Sequence, residues 1–95
     1  MEISTSLNIV TIKGNIKSVS NFQEIKNCVD DLIRHQSSIT IIISDSLSIT
    51  SSIIGYFNKL ILKDKINLSM EVGNEQLFEL LDDLSLISVF KAKRR

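Results

Sequence analysis

The chain has 95 residues, enough to bury one hydrophobic core and too few for two domains. Hydrophobic residues make up 43% and charged residues 23%, the balance of a folded globular protein rather than a disordered one. Lys plus Arg equals Asp plus Glu at 11 each, so no global charge points to nucleic acid as a partner.

With aromatics at 5% and no Trp, the core must be built from Ile, Leu and Val, with Phe22, Phe57, Phe78 and Phe90 as its largest pieces. One cysteine, Cys28, excludes an intramolecular disulfide and a paired-cysteine metal site. The lone His35 has no second imidazole or thiol to share a metal, so no metal and no cofactor are expected. The opening Met1 to Ser6 lacks the basic start and apolar run of a signal peptide, and no apolar stretch approaches the ~20 residues of a bilayer span. The expectation is a cytoplasmic, non-spanning protein. There is no proline, and the three glycines are isolated, so no linker divides residues 1–95 and a single domain is expected.

Leu7 to Lys13, with Ile9, Val10, Thr11 and Ile12 before Gly14, reads as a strand, and Met1 to Thr5 as a short edge strand paired to it through a tight turn. From Ser20 the period changes. Phe22, Ile25, Val29, Leu32 and Ile33 fall on one side of a helix, with Ser20 and Gln23 as its capping box. Ile39 to Ile43 is a nearly continuous β-branched run, the pattern of a strand that is buried on both sides or lies at the centre of a sheet. After the polar loop Ser44 to Ser52, Ile53, Ile54, Phe57, Leu60 and Ile61 form the stripe of a second helix. Ile66, Leu68, Met70 and Val72 alternate with polar residues, as in a strand with one wet face. Gly73 turns the chain, Asn74 caps a third helix marked by Leu77, Phe78, Leu81 and Leu84, and Leu86 to Phe90 reads as a turn and short edge strand. The tail Lys91, Ala92, Lys93, Arg94, Arg95 reads as a frayed, solvated end.

The order β(β)αβαβα implies parallel pairing with right-handed crossovers. It predicts an α/β fold of two layers: a small mixed or parallel sheet with three to four helices mainly on one face. Ile41, Ile43, Leu68, Met70, Phe22, Val29, Phe57, Leu60, Phe78 and Leu81 are expected in one core.

This order and layering resemble the STAS domain, the fold of bacterial anti-sigma-factor antagonists. Three local runs carry the likeness: Val10 to Ile16, a strand closing on a glycine; Thr50, Ser51, Ser52, Ile53, Ile54, Gly55, similar to the family's Asp-Ser-Ser-Gly signature; and Leu80 to Phe90, similar to its closing helix and exit. The signature's Asp is here Thr50, its Gly is Ile53, and Lys17 stands where an acidic group is common. The resemblance implies a non-enzymatic binding module in partner-switching signalling, whose partner is an anti-sigma factor and serine kinase of the ATPase fold. It also implies phosphorylation at Ser51, with Ser52 and Thr50 as alternatives, and a partner surface of Asp45, Ser46, Ser48, Thr50, Ser51, Ser52, Ile53 and Tyr56. A second reading is a constitutive STAS subunit of a lipid-transport complex, docked on an ATPase without a kinase, or a diverged scaffold that is never phosphorylated.

The residues themselves leave two roles open for the serine run. Ser and Thr are favoured helix N-caps, each worth ~1 kcal/mol, and Thr50, Ser51 and Ser52 stand where a cap is needed. A helix start also tolerates the ~2 negative charges of a phosphate, because its free N–H groups carry partial positive charge. Ile53 either projects from the helix start toward a partner or packs under the loop. Nothing supports catalysis: Ser51 has no nearby base in the pattern, and the carboxylates Glu2, Glu24, Asp30, Asp31, Asp82 and Asp83 are scattered over solvated positions.

Overall fold

The computed structural model describes residues Met1–Arg95. Eight elements follow one another: β1 (Glu2–Ser6), β2 (Ile9–Lys13), α1 (Val19–Leu32), β3 (Ser38–Ile43), α2 (Ser51–Leu62), β4 (Asn67–Val72), α3 (Glu75–Asp83) and β5 (Ala92–Arg94). The five strands form one sheet in sequence order, β1-β2-β3-β4-β5. β1 and β2 are antiparallel; every other pair is parallel.

Register sets the two faces. Ile3, Ile12, Ile43 and Val72 lie side by side across the sheet, as do Thr5, Val10, Ile41, Met70 and Ala92. From β2 to β5 these residues are buried in the same cluster as the inward residues of all three helices. The alternate row, Ser4, Thr11, Ile42, Glu71 and Lys93, faces away from the helices. Its chemistry is polar except for Ile42, the reason Glu71 and Thr11 remain only half-buried on either side of it. The result is an α/β domain of a mixed sheet and three helices in two layers, with β3 at the centre as its β-branched run requires.

Eight of the ten expected core residues are buried; Phe22 and Phe78 are half-buried at the rim. Three boundaries differ. Leu7 and Asn8 form the hairpin turn rather than the start of β2, and Leu7, at φ 56°, is 84% exposed. The α1 capping box is Ser18 with Asn21, two residues before the expected Ser20 and Gln23. Asn21 Oδ1 accepts from the Lys17 and Ser18 N–H groups at 3.1 and 3.3 Å, and Ser18 Oγ accepts from Asn21 N–H at 3.1 Å.

The third difference is the C-terminus. Leu86 to Phe90 is not an edge strand; Leu86 and Phe90, four residues apart, bury their side chains from a helical turn, with Phe90 N–H donating to Leu86 O at 3.0 Å. Phe90 meets Phe57 edge-on, with ring centroids 6.0 Å apart. That anchor brings the basic tail onto the sheet, so it is not a frayed end: Ala92–Arg94 pairs with β4, and Arg95 N–H donates to Val72 O at 3.0 Å.

Candidate functional site

Parallel pairing of β2 and β3 sends two loops from the same end of the sheet, residues 14–18 into α1 and 44–50 into α2. They are laced together. Gly14 N–H donates to Asp45 Oδ1 at 2.7 Å, Leu47 N–H to Asn15 Oδ1 at 2.9 Å, and Ile16 N–H to Ser46 Oγ at 3.1 Å. Ser46 Oγ in turn donates to Ser48 O at 2.7 Å. Gly14 supplies the φ of +86° with which the first loop leaves β2. Buried Ile16 and Ile49 anchor the two loops to the core.

Thr50 is the N-cap of α2, its Oγ1 accepting from Ile53 N–H at 3.3 Å. Ser51 and Ser52 are the first two helical residues and both are exposed. No acidic residue stands in the first turn of α1 or of α2, so neither positive helix end is compensated from within. The two helix starts border a shallow groove of about 330 Å³, to which Lys17, Val19, Phe22 and Gln23 contribute beside Thr50 and Ser52.

Of the expected partner residues, Asp45, Ser48, Ser51 and Ser52 lie on the surface and Thr50 is half-buried. Three do not belong there. Ser46 is fully buried, its hydroxyl consumed by the link between the loops. Ile53 is also fully buried, so it packs under the loop rather than projecting. Tyr56 retains 6% exposure because it turns toward α1, meeting Phe22 edge-on with centroids 6.1 Å apart.

The groove's α1 wall was not apparent from the sequence. Val19 sits on the apolar stripe three residues before Phe22, yet it is 82% exposed and lines the groove instead of the core. Leu47, 45% exposed, is a second apolar side chain on this surface. His35 lies in the turn after α1, at the opposite end of β3 from the α2 start, and does not approach Ser51.

Between the helices, the Tyr56 hydroxyl donates to Asp30, whose other oxygen receives the Lys26 ammonium at 2.8 Å. Burial alone pushes the Asp30 carboxyl upward, but hydrogen bonds from Lys26 and Tyr56 and the charges of Lys26 and Lys59 outweigh it, holding it below the ordinary carboxylate range. Burial, then the hydrogen bond and charge of Asp30, push the Tyr56 phenol well above its usual value. Burial and the Asp31 charge raise the Cys28 thiol.

No family model, curated protein or solved structure matches the chain. No helix is long and apolar enough to cross a membrane.

Proposed function

We propose that the chain is a non-enzymatic, cytoplasmic binding module of the STAS type, acting as an anti-sigma-factor antagonist. It binds a serine-kinase partner of the ATPase fold through the β3–α2 loop and the first turn of α2. Phosphorylation of Ser51 releases that partner. The observation that carries this reading is the exposure of Ser51 at the first position of α2, in a turn with no acidic residue. A phosphate there meets free N–H groups and the positive helix end, so the domain tolerates it, while a bound apolar or acidic partner does not. Exposed Leu47 and Val19 supply apolar contact area beside the serines. The ββαβαβαβ order and the sheet with one antiparallel pair support the family resemblance.

The test combines phosphosite mapping of protein from its native cell with affinity measurements on two variants. Phosphate is expected on Ser51. Ser51→Asp should weaken partner binding at least about tenfold while Ser51→Ala binds like the unmodified protein. Phosphate-free serines in the presence of the active kinase, with both variants binding normally, would overturn switching and leave a constitutive subunit of a transport complex as the reading.

A further inference from the structure

The two edges of the sheet are built differently. β5 is three residues long and carries Lys93 and Arg94, so a second strand laid against it meets a row of positive charge. β1 is five residues long, unbroken in register with β2, free of proline and bulge, and holds a single charge, Glu2. Its outer side presents backbone N–H and C=O groups that no strand of this chain reaches, since β2 is its only neighbour. Short, charged or kinked edges resist pairing; β5 has that protection and β1 lacks it.

We propose that β1 is a self-association edge, at which two copies of this chain pair antiparallel about a two-fold axis at Ser4 and join their sheets into one. A strand edge is complementary to another strand, and the charge pattern selects a second copy of itself. In the symmetric register Glu2 falls opposite Ser6, so no like charges meet, whereas two β5 strands would set Lys93 against Lys93. The net formal charge of zero adds no general repulsion between copies. Side chains fit the same register. Ile3 and Thr5 pair with core-facing Ile12 and Val10, so both lie on the helix side of the sheet. Symmetric pairing puts Ile3 of the second copy beside Thr5, at the mouth of a groove of about 280 Å³ between β1 and the last turns of α1, walled by Cys28, Asp31, Leu32 and His35. Five residues a side make a small interface, so the association is weak and depends on concentration.

Sedimentation equilibrium of the full chain from about 10 μM to about 1 mM tests this, and a monomer–dimer equilibrium is the expected result. Ser4 is exposed on the open face, so Ser4→Lys and Ser4→Glu keep the thermal transition of the wild type. Each variant alone places like charges on the axis and should raise the dimer dissociation constant about tenfold or more, while an equimolar mixture of the two dimerises again. A monomer throughout the range overturns the proposal, as does open-ended growth, which signals β1-to-β5 pairing. Undiminished dimerisation of Ser4→Lys overturns it equally, by moving the interface elsewhere.

Discussion

The Tyr56 hydroxyl on α2 donates to the Asp30 carboxylate on α1 at 2.5 Å, and Lys26 holds the other Asp30 oxygen at 2.8 Å. This is the polar clasp between two helices that otherwise meet through Phe22 and Tyr56. Tyr56→Phe removes the donor but leaves Asp30 with Lys26, so a loss of about 0.5–1.5 kcal/mol in denaturant unfolding is expected.

The clasp makes stability depend on pH at both ends. Asp30 titrates below its unfolded value of about 3.9, so its contribution is present above that pH and is lost as pH falls through the lower folded value. The stability gap between wild type and Asp30→Asn should therefore be full at neutral pH and shrink below about pH 4. Tyr56 behaves oppositely: its raised phenol keeps its proton in the folded state, so stability falls as pH climbs past the unfolded value of about 10. Because Tyr56 is the only tyrosine, phenolate absorbance reports on it alone and should appear together with alkaline unfolding. Phenolate formation well below the unfolding pH would contradict the clasp.

Two glycines give opposite expectations. A Cβ on Gly73 would lie 2.0 Å from Ser44 O, a backbone atom that the adjoining strand β3 holds in place. Gly73→Ala should destabilise the domain by about 1–3 kcal/mol or more. Gly55, inside α2, has nothing within 4 Å of its Cβ position, and Gly55→Ala should stabilise by about 0.5–1 kcal/mol through helix propensity. Equal melting temperatures for the two variants would contradict the close approach of Ser44 O to Gly73.

Buried Ser46 and Ile53 are predicted to act on folding before they act on any partner. Ser46→Ala leaves Ile16 N–H without its acceptor in a buried loop junction, at a cost of about 1–3 kcal/mol. Ile53→Glu places a carboxylate in the core and should abolish the cooperative thermal transition. A folded Ile53→Glu that has lost only partner binding would restore Ile53 to the interface.

Elements with a complete period were legible in the sequence. Ile39 to Ile43 and Ile66 to Val72 declare β3 and β4 because each side chain has one dominant destination. The stripes from Phe22 and Ile53 declare α1 and α2 in the same way. What escaped was set by partners far along the chain. β5 reads as a solvated tail because Lys93, Arg94 and Arg95 are polar on their own, and only the burial of Phe90 against Phe57 delivers Ala92 to β4. Asp45, Ser46 and Asn15 look like ordinary loop residues, yet each spans about 30 positions of sequence to lace the two loops. Local propensity holds no trace of such contacts. The Ser18 cap was hidden for a smaller reason: Ser18 and Ser20 are both good caps, and the choice falls to the reach of Asn21.

The serine run can now be divided by role. Thr50 alone is the cap, its hydroxyl oxygen taking the Ile53 N–H, whereas Ser51 is the first helical residue and no hydrogen bond engages its hydroxyl. Thr50→Ala should then cost about 1 kcal/mol, and Ser51→Ala should stay within about 0.5 kcal/mol of wild type. Ser51→Asp adds a negative charge to a first turn that has none, and should hold or raise stability by about 0.3–1 kcal/mol, with the gain shrinking at high salt. This separation matters for the binding experiment. A weakened complex in Ser51→Asp, measured on a domain at least as stable as wild type, reports on the interface and not on the fold. Should Ser51→Ala instead lose about 1 kcal/mol while Thr50→Ala loses nothing, the cap belongs to Ser51, the helix begins one residue later, and the exposed hydroxyl at its start is Ser52.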